Sequence, residues 1–248
     1  MTELDAVQRD LRTRYVGRRL YWFEEVTSTN DVAHTLAEQG TPEGTVVAAR
    51  TQTEGRGRLG RRWVSPPGGL WLSVVFRPPA APHELPRLGL GMGVACSRAL
   101  ERACGVRVGL RWPNDLVVEG RKVGGILVES GPEGRWLVVG IGVNVSVPAD
   151  QLPEGAASVE QVAPVDRAAL LQALLVEVEM AYELFRGGDW ATLLDWWRRR
   201  STTLGRRVRV HVASGVYEGV AEDVDEDGAL LLRLPDGRHK RIVAGDVG

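Results

Sequence analysis

The stretch that decides the fold is residues 55–60, GRGRLG, which runs on through residues 61–76 as RRWVSPPGGLWLSVVF. Glycines at the first, third and sixth positions match a dinucleotide-binding turn, in which the third glycine opens a helix whose N-terminus carries the pyrophosphate. Here Gly60 is followed by Arg61, Arg62, Trp63, a proline pair, a glycine pair and then apolar, β-branched and aromatic residues, so the chain runs from strand through loop into strand. No acid ends a strand about 20 residues on, where a ribose contact belongs. No GxxxxGK[ST] occurs, which excludes a P-loop. What remains between Arg50 and Arg62 is five arginines and one acid interleaved with Gly55, Gly57 and Gly60. Such a loop is flexible, cationic and open to close backbone approach, and it suits a polyphosphate. The competing reading is a solvated charged turn.

Working outward, residues 45–51 (TVVAART) lead into the loop as a strand and residues 20–26 (LYWFEEV) form an earlier one. Between them Ser28 or Thr29 caps a helix, Asp31 sits at the positive end of its dipole, and Gly40 stops it. Residues 2–12 predict a short helix with Thr2 as cap and Leu4, Val7 and Leu11 on one face. After the strand at 70–76 and a Pro-rich turn, a long apolar helix spans about 84–104, carrying Leu85, Leu88, Met92, Ala95, Ala99 and Leu100. The pattern then switches to period two over 106–110, 116–118, 122–130 and 135–145, an antiparallel meander. Asp166 caps an amphipathic helix with Leu171, Leu174, Leu175, Val178, Tyr182 and Phe185 inward, Asp189 caps a second ending in WWRRR, and the two cover the sheet. The last stretch, from about residue 204, alternates over short strands with turns at ASG, DEDG and PDG, the spacing of a small SH3-like barrel.

With 31 basic and 32 acidic residues the chain is not built to bind nucleic acid over its whole surface, so any basic site is local. The six arginines between Arg198 and Arg209 read as a solvated helix end and strand face rather than an RNA site. Cys96 and Cys104 form no CxxC, and His34, His83, His211 and His239 are scattered, which points to small buried thiols and to neither a disulfide framework nor zinc. The N-terminus has no apolar h-region and nothing downstream is long enough to span a bilayer, which predicts a cytoplasmic protein.

Five ordered motifs then coincide: STN at 28–30, QTEGRGRLGRRW at 52–63, RWPNDL at 111–116, RKVGGILVE at 121–129 and GIGVNV at 140–145. Together they resemble the catalytic domain of biotin protein ligases, and the similarity runs over roughly residues 18–248. The resemblance implies an α+β fold with a mixed, largely antiparallel sheet over residues 1–203 and an SH3-like C-terminal domain over 204–248. It also implies a chemistry: the biotin carboxylate is joined to the α-phosphate of ATP, pyrophosphate leaves, and a lysine of a carboxyl carrier domain attacks the biotinyl-adenylate. Carboxylate and phosphate repel, so fixed cations and exclusion of water are required, and no protein nucleophile is.

Position by position, Ser28, Thr29 and Asn30 resemble the family's biotin contacts. Gln52, Gly55, Arg56, Gly57 and Arg58 match its biotin-binding loop, with Arg58 and Arg61 placed to meet phosphate oxygens. Lys122 matches the lysine that touches both carboxylate and α-phosphate, where a compact ammonium lowers the barrier. Gly124 and Gly125 leave room for ligand against the backbone. Asn114, Asp115 and Asn144 match polar residues near the nucleotide, and Asp115 either holds magnesium or takes a proton from the incoming lysine. Trp63 and Trp71 wall the pocket or pack in the core. Arg111 stands where the family usually has lysine, which leaves its contact open. Only 27 residues precede STN, too few for the helix-turn-helix domain some relatives carry, so a monofunctional ligase without a DNA role is expected. A homodimer is left open. A lipoate or octanoate ligase or transferase and a non-enzymatic biotin-sensing regulator are the competing functions.

Overall fold

Alternation along the strands decides what each face of the central sheet can hold. The structure is a computed structural model and describes residues 7–78 and 84–248. Its main sheet has seven strands: β1 (Leu20–Val26), β2 (Val46–Gln52), β3 (Gly69–Phe76), β4 (Gly109–Arg111), β5 (Asp115–Val118), β6 (Arg121–Ser130) and β7 (Leu137–Asn144), in the order β1-β2-β3-β7-β6-β5-β4. The β1–β2 pair is parallel and every other pair antiparallel. A parallel pair needs a crossover, which α1 (Thr29–Glu38) supplies.

On one face Val46, Ala48, Leu72, Val74, Ile126, Val139 and Ile141 are buried in the main core. They lie under α2 (Leu85–Cys104), α3 (Arg167–Arg186) and α4 (Trp190–Arg200), with Phe76 stacked on Tyr182 of α3 at 3.9 Å. Asp166 and Asp189 cap α3 and α4 as expected, accepting from Ala169 N (3.1 Å) and Thr192 N (3.3 Å). On the other face α1 buries Ala33 and Ala37 against Val47, Val75, Val138 and Trp136. A ten-residue helix reaches only about 15 Å, so it covers part of that face and leaves the rest open at its N-terminal end. There the strands present Ser73, Gly125, Gly140 and Gly142, and the missing side chains make a cleft.

The C-terminal residues form a second sheet of β8 (Arg207–Val212), β9 (Gly215–Val224), β10 (Leu230–Arg233), β11 (His239–Ile242) and β12 (Asp246–Val247). Its order is β11-β10-β9-β8-β12, all antiparallel; β11 and β12 remain edges, so the expected SH3-like barrel is not closed by strand pairing. It is tied to the rest of the fold where Trp112 Nε1 donates to Gly228 O (3.0 Å) and Arg198 Nε to Asp223 Oδ1 (2.7 Å). Residues 7–9 are helical and Val7 and Leu11 are buried, while Thr2 and Leu4 of the expected first helix lie outside the described residues. Among the described residues no helix is long and apolar enough to cross a membrane.

Candidate active site

The arginine loop returns on itself instead of opening a helix. Gln52 N donates to Ser65 O (3.1 Å), Trp63 N to Gly55 O (2.8 Å) and Gly57 N to Arg61 O (2.7 Å). Residues 53–64 are thereby a short antiparallel finger extending β2, with its tip at Leu59 (φ 55°, 67% exposed) and Gly60 (φ 73°). Backbone in that left-handed region favours glycine, and Leu59 adopts it beside Gly60 at the turn. The finger folds over the open face, and between them lies a cavity of about 320 Å³.

Its floor is a chain of polar contacts. Thr29 N and Oγ1 donate to Gln52 Oε1 (2.8 and 3.0 Å), and Gln52 Nε2 donates to Ser65 Oγ (2.8 Å). Ser73 Oγ lies 2.7 Å from Thr29 Oγ1 and 2.6 Å from Asn30 Oδ1, and Asn30 Nδ2 donates to Glu129. Ser28 takes the N-cap position, yet its hydroxyl makes no capping bond, so the hydroxyls of this turn serve the cleft rather than the helix end. Gly140 is required here: a Cβ on it would lie 2.4 Å from Asn30 Oδ1.

Trp63 lies over the sheet, edge-on to Trp71 (6.3 Å, 77°), with Lys122 Nζ 5.1 Å from its ring centre. A Cβ on Gly142 would meet the indole at 2.8 Å and one on Gly125 at 3.4 Å, so these two glycines admit the ring. Gly124 faces away: its Cβ would collide with Gly142 O (2.6 Å) and Leu116, which makes it a strand-packing glycine rather than a wall of the cleft. Gly55 is likewise a tight-turn residue against Trp63 O and Ser65, and Trp71 is buried beneath Trp63 with Nε1 donating to Pro66 O (2.9 Å).

The cations converge at one end. Lys122 Nζ sits 2.5 Å from Asp115 Oδ1, while Arg111 Nη2 and Nε reach Asp115 Oδ2 at 2.7 and 3.2 Å. Arg111, placed differently from a lysine in reach, thus shares one carboxylate with Lys122. A register slip between β5 and β6 leaves Val123 as an extra residue, buried in the main core. Strict alternation would put Lys122 on the core face with Gly124 and Ile126; the bulge turns it toward the cleft beside Gly125 and Leu127. Lys122 is also pinned through its backbone, with Lys122 N donating to Gly155 O (3.0 Å) and Ala157 N to Lys122 O (2.9 Å).

From the finger, Arg56 makes a bidentate pair with Asp31 (2.6 and 2.8 Å) and approaches Glu129 at 3.5 Å; the bond to Asp31 raises its pKa. Arg61 pairs with Asp246 of β12 at 2.8 Å. Arg58 Nη1 donates to Gly245 O (3.2 Å), and burial pushes its pKa down. Glu129 is held well below the usual carboxylate range, at about 2, by His34, Asn30 and Arg56. Asn114 braces the strand behind the cleft, donating to Ile126 O (2.7 Å) and accepting from Ile126 N (3.0 Å). Asn144 is buried, donates to Ala157 O (3.2 Å) and does not line the cavity. Among the described residues no three His, Cys, Asp or Glu side chains cluster as a metal site.

Residues 22–146 match the model of the biotin/lipoate A/B protein ligase family, and residues 203–247 match the biotin protein ligase C-terminal domain. The chain belongs to the biotin/lipoate A/B protein ligase family. Among curated relatives, it is 34% identical to the biotin–[acetyl-CoA-carboxylase] ligase of Paracoccus denitrificans, over 86% of this chain and 93% of that protein. To the ligase of the same name from Mycobacterium tuberculosis it is 33% identical, over 100% of this chain and 98% of the other. Among solved structures, the biotin protein ligase of Aquifex aeolicus in complex with biotin and ATP superposes with a TM-score of 0.82 at 30% identity, covering 93% and 98% of the two chains.

Measured against the motifs of this ligase family, the structure brings Ser28, Thr29, Asn30, Gln52, Arg56, Gly57, Arg58, Arg61, Trp63, Asn114, Asp115, Lys122 and Gly125 around one cavity. It leaves Gly55, Gly124, Trp71 and Asn144 off the cavity wall. Residues that the motif reading did not assign are Ser73, Glu129, Asp31, Asp246 and Trp112. Ser73 carried a signal, being the one polar residue in a strand buried along its whole length.

Proposed function

We propose that this chain activates biotin with ATP and transfers the biotinyl group to a lysine of a biotin carboxyl carrier domain, in the cytoplasm. The observation that carries this reading is Arg58. It is a half-buried guanidinium on the cleft wall whose side-chain hydrogen bond goes to a carbonyl, Gly245 O, and burial already disfavours its charge. Burial outweighs the nearby Asp246 and Asp115 carboxylates, so this cation is suited to receive an anion. Arg61, Arg62, Arg111 and Lys122 line the same space, so carboxylate and polyphosphate can lie together there without mutual repulsion dominating.

In the first step a biotin carboxylate oxygen attacks the α-phosphorus and the bond to pyrophosphate breaks. The role of bridging the two reacting anions is assigned to Lys122, a reading supported by its backbone bonds to residues 155 and 157 and by its pairing with Asp115 at the cleft. The polar chain of Thr29, Asn30, Gln52 and Ser73 suits the ureido head, whose donors and acceptors must be paired when buried. Trp63 covers the apolar part and keeps water off the mixed anhydride. In the second step the acceptor ammonium gives a proton to water and the neutral amine attacks the acyl carbon. The acyl–oxygen bond breaks with its electron pair leaving on AMP, and the nitrogen sheds its excess proton to water.

Magnesium takes oxygen donors, commonly one or two carboxylates with phosphate oxygens and water. Asp115 is the candidate ligand in the cleft, yet both its oxygens are engaged by Arg111 and Lys122, so the residues fit the ion poorly as they stand. The role assigned to Asp115 is to hold those two cations, and no step is routed through the metal. The test is incubation of the purified chain with ATP, magnesium, labelled biotin and a carrier domain, followed by mass analysis. The expected result is one biotinyl group on one carrier lysine. Transfer of lipoate or octanoate instead, or biotin binding with no transfer, would overturn the reading.

A further inference from the structure

An acceptor lysine arrives as a cation at a cleft already lined by arginines and Lys122, and like charges repel. Approach therefore needs a compensating attraction elsewhere on the two surfaces. Beside the cleft, sharing Arg111 and Val247 with it, lies a second concavity of about 550 Å³. It is bounded by β4, the β5–β6 turn at Glu119 and Gly120, the end of α4 and β8. Arg107, Arg111, Arg199, Arg200, Arg206 and Arg207 line it, against a single carboxylate side chain, Glu119.

Three of these arginines are neutralised in place: Arg111 by Asp115, Arg199 by Asp195 (2.9 Å) and Arg200 by Glu101 (2.9 Å). Arg107, Arg206 and Arg207 are exposed and have no ion-pair partner among the described residues. They come from the segment after α2, the turn before β8 and β8 itself, so the fold gathers charges that the chain keeps apart. The solvated run expected over 198–209 is thus two populations. Arg198 and Arg209 are paired with Asp223 (2.7 Å) and Glu218 (2.6 Å), whereas Arg206 and Arg207 join Arg107 in the groove.

We propose that this groove docks an acidic face of the carrier domain, which rests on the ligase reading above. An acidic protein surface is favoured over nucleic acid because the groove opens on the cleft that a macromolecular acceptor must reach. Three free guanidinium groups also fall short of the six to ten phosphate contacts, or about that number, of a typical duplex binder. Docking there anchors the carrier beside the cleft while its lysine enters past Arg111.

The test uses the full chain and the isolated, net-negative carrier domain of an acetyl-CoA carboxylase. The triple variant Arg107→Glu, Arg206→Glu, Arg207→Glu should raise KM for the carrier about tenfold or more at low salt. Its KM should converge with the wild type near ~0.5 M salt, where screening acts within about 5 Å. Biotin-dependent pyrophosphate exchange and adenylate release to hydroxylamine should not change, and the triple lysine variant should stay close to wild type. A carrier KM and salt dependence unaltered by the three reversals would overturn the proposal. So would an unaltered KM accompanied by loss of binding to an RNA oligonucleotide, which would reassign the groove. Absence of pyrophosphate exchange in the wild type would instead strike the ligase reading itself and take this proposal with it.

Discussion

Replacing Gly142 by alanine adds one methyl group beneath Trp63, and the geometry sets the size of the effect. The new Cβ would lie 2.8 Å from Nε1 and 2.9 Å from Cε2 of the indole, so the ring must retreat by about half an ångström or more to restore ordinary contact. It cannot move into the sheet, because Trp71 stands edge-on behind it, and Gly125 offers space only to 3.4 Å. Retreat is outward, with the finger that carries Trp63 through its bond to Gly55 O. Overpacking a buried contact commonly costs about 1–3 kcal/mol. Since Trp63 is only half-buried, the strain is relieved by lifting the finger and appears mainly as lost ligand binding. A loss of about 1–2 kcal/mol corresponds to a five- to thirtyfold rise in the Kd for biotin. Titration calorimetry with biotin, alongside the thermal midpoint, reads both quantities. Biotin affinity within twofold of wild type would show that Trp63 does not cover the ligand, and the placement of the cavity would be wrong.

Lys122→Ala should slow biotin-dependent pyrophosphate exchange by about 10²–10³-fold, the usual loss on removing one donor to developing charge, as measured by initial rates. The fold should persist with a thermal midpoint near wild type, because Asp115 keeps Arg111 as partner and a part-exposed pair contributes about 0–1 kcal/mol. Glu129→Gln should destabilise the protein at neutral pH. The folded carboxyl is depressed to about 2, so its contribution is complete above the ordinary carboxylate range and lost as pH falls through about 2. Denaturant midpoints of the two proteins should differ at pH 6 and close together progressively below pH 4; a constant gap would contradict the role of its charge. Cys96 is buried and its thiol pushed up to about 12, so iodoacetamide at neutral pH should label it only on unfolding, ahead of which Cys104 reacts, as peptide mapping would reveal.

The rejection of a dinucleotide turn was legible in residues 61–76, because two prolines and a buried-strand pattern cannot open a helix, and the finger with its return strand bears that out. So were the helix caps at Asp166 and Asp189, whose bonds are local. The face on which Lys122 stands was not legible. The period-two pattern of KVGGILVE aligns Lys122 with Gly124, and only a bulge, set by pairing with a separate strand, moves it beside Gly125. For the same reason the two adjacent glycines have unlike duties, one spacing strands and the other admitting Trp63. Asp246, which pairs with Arg61, reaches the cleft from the last strand, and no local pattern announces such a contact. Asn144 is expected near the nucleotide from its motif, and no local pattern announces that its amide also donates to Ala157 O.

The convergence of finger and hairpin on one anion is tested most directly by a double-mutant cycle on Arg58→Ala and Lys122→Ala, read as the initial rate of biotin-dependent pyrophosphate exchange. Two cations acting on the same reacting group should give a double variant that loses about tenfold less than the product of the single losses, a coupling of about 1.4 kcal/mol. Single losses that multiply to within about twofold would place Arg58 and Lys122 in independent roles and contradict the account.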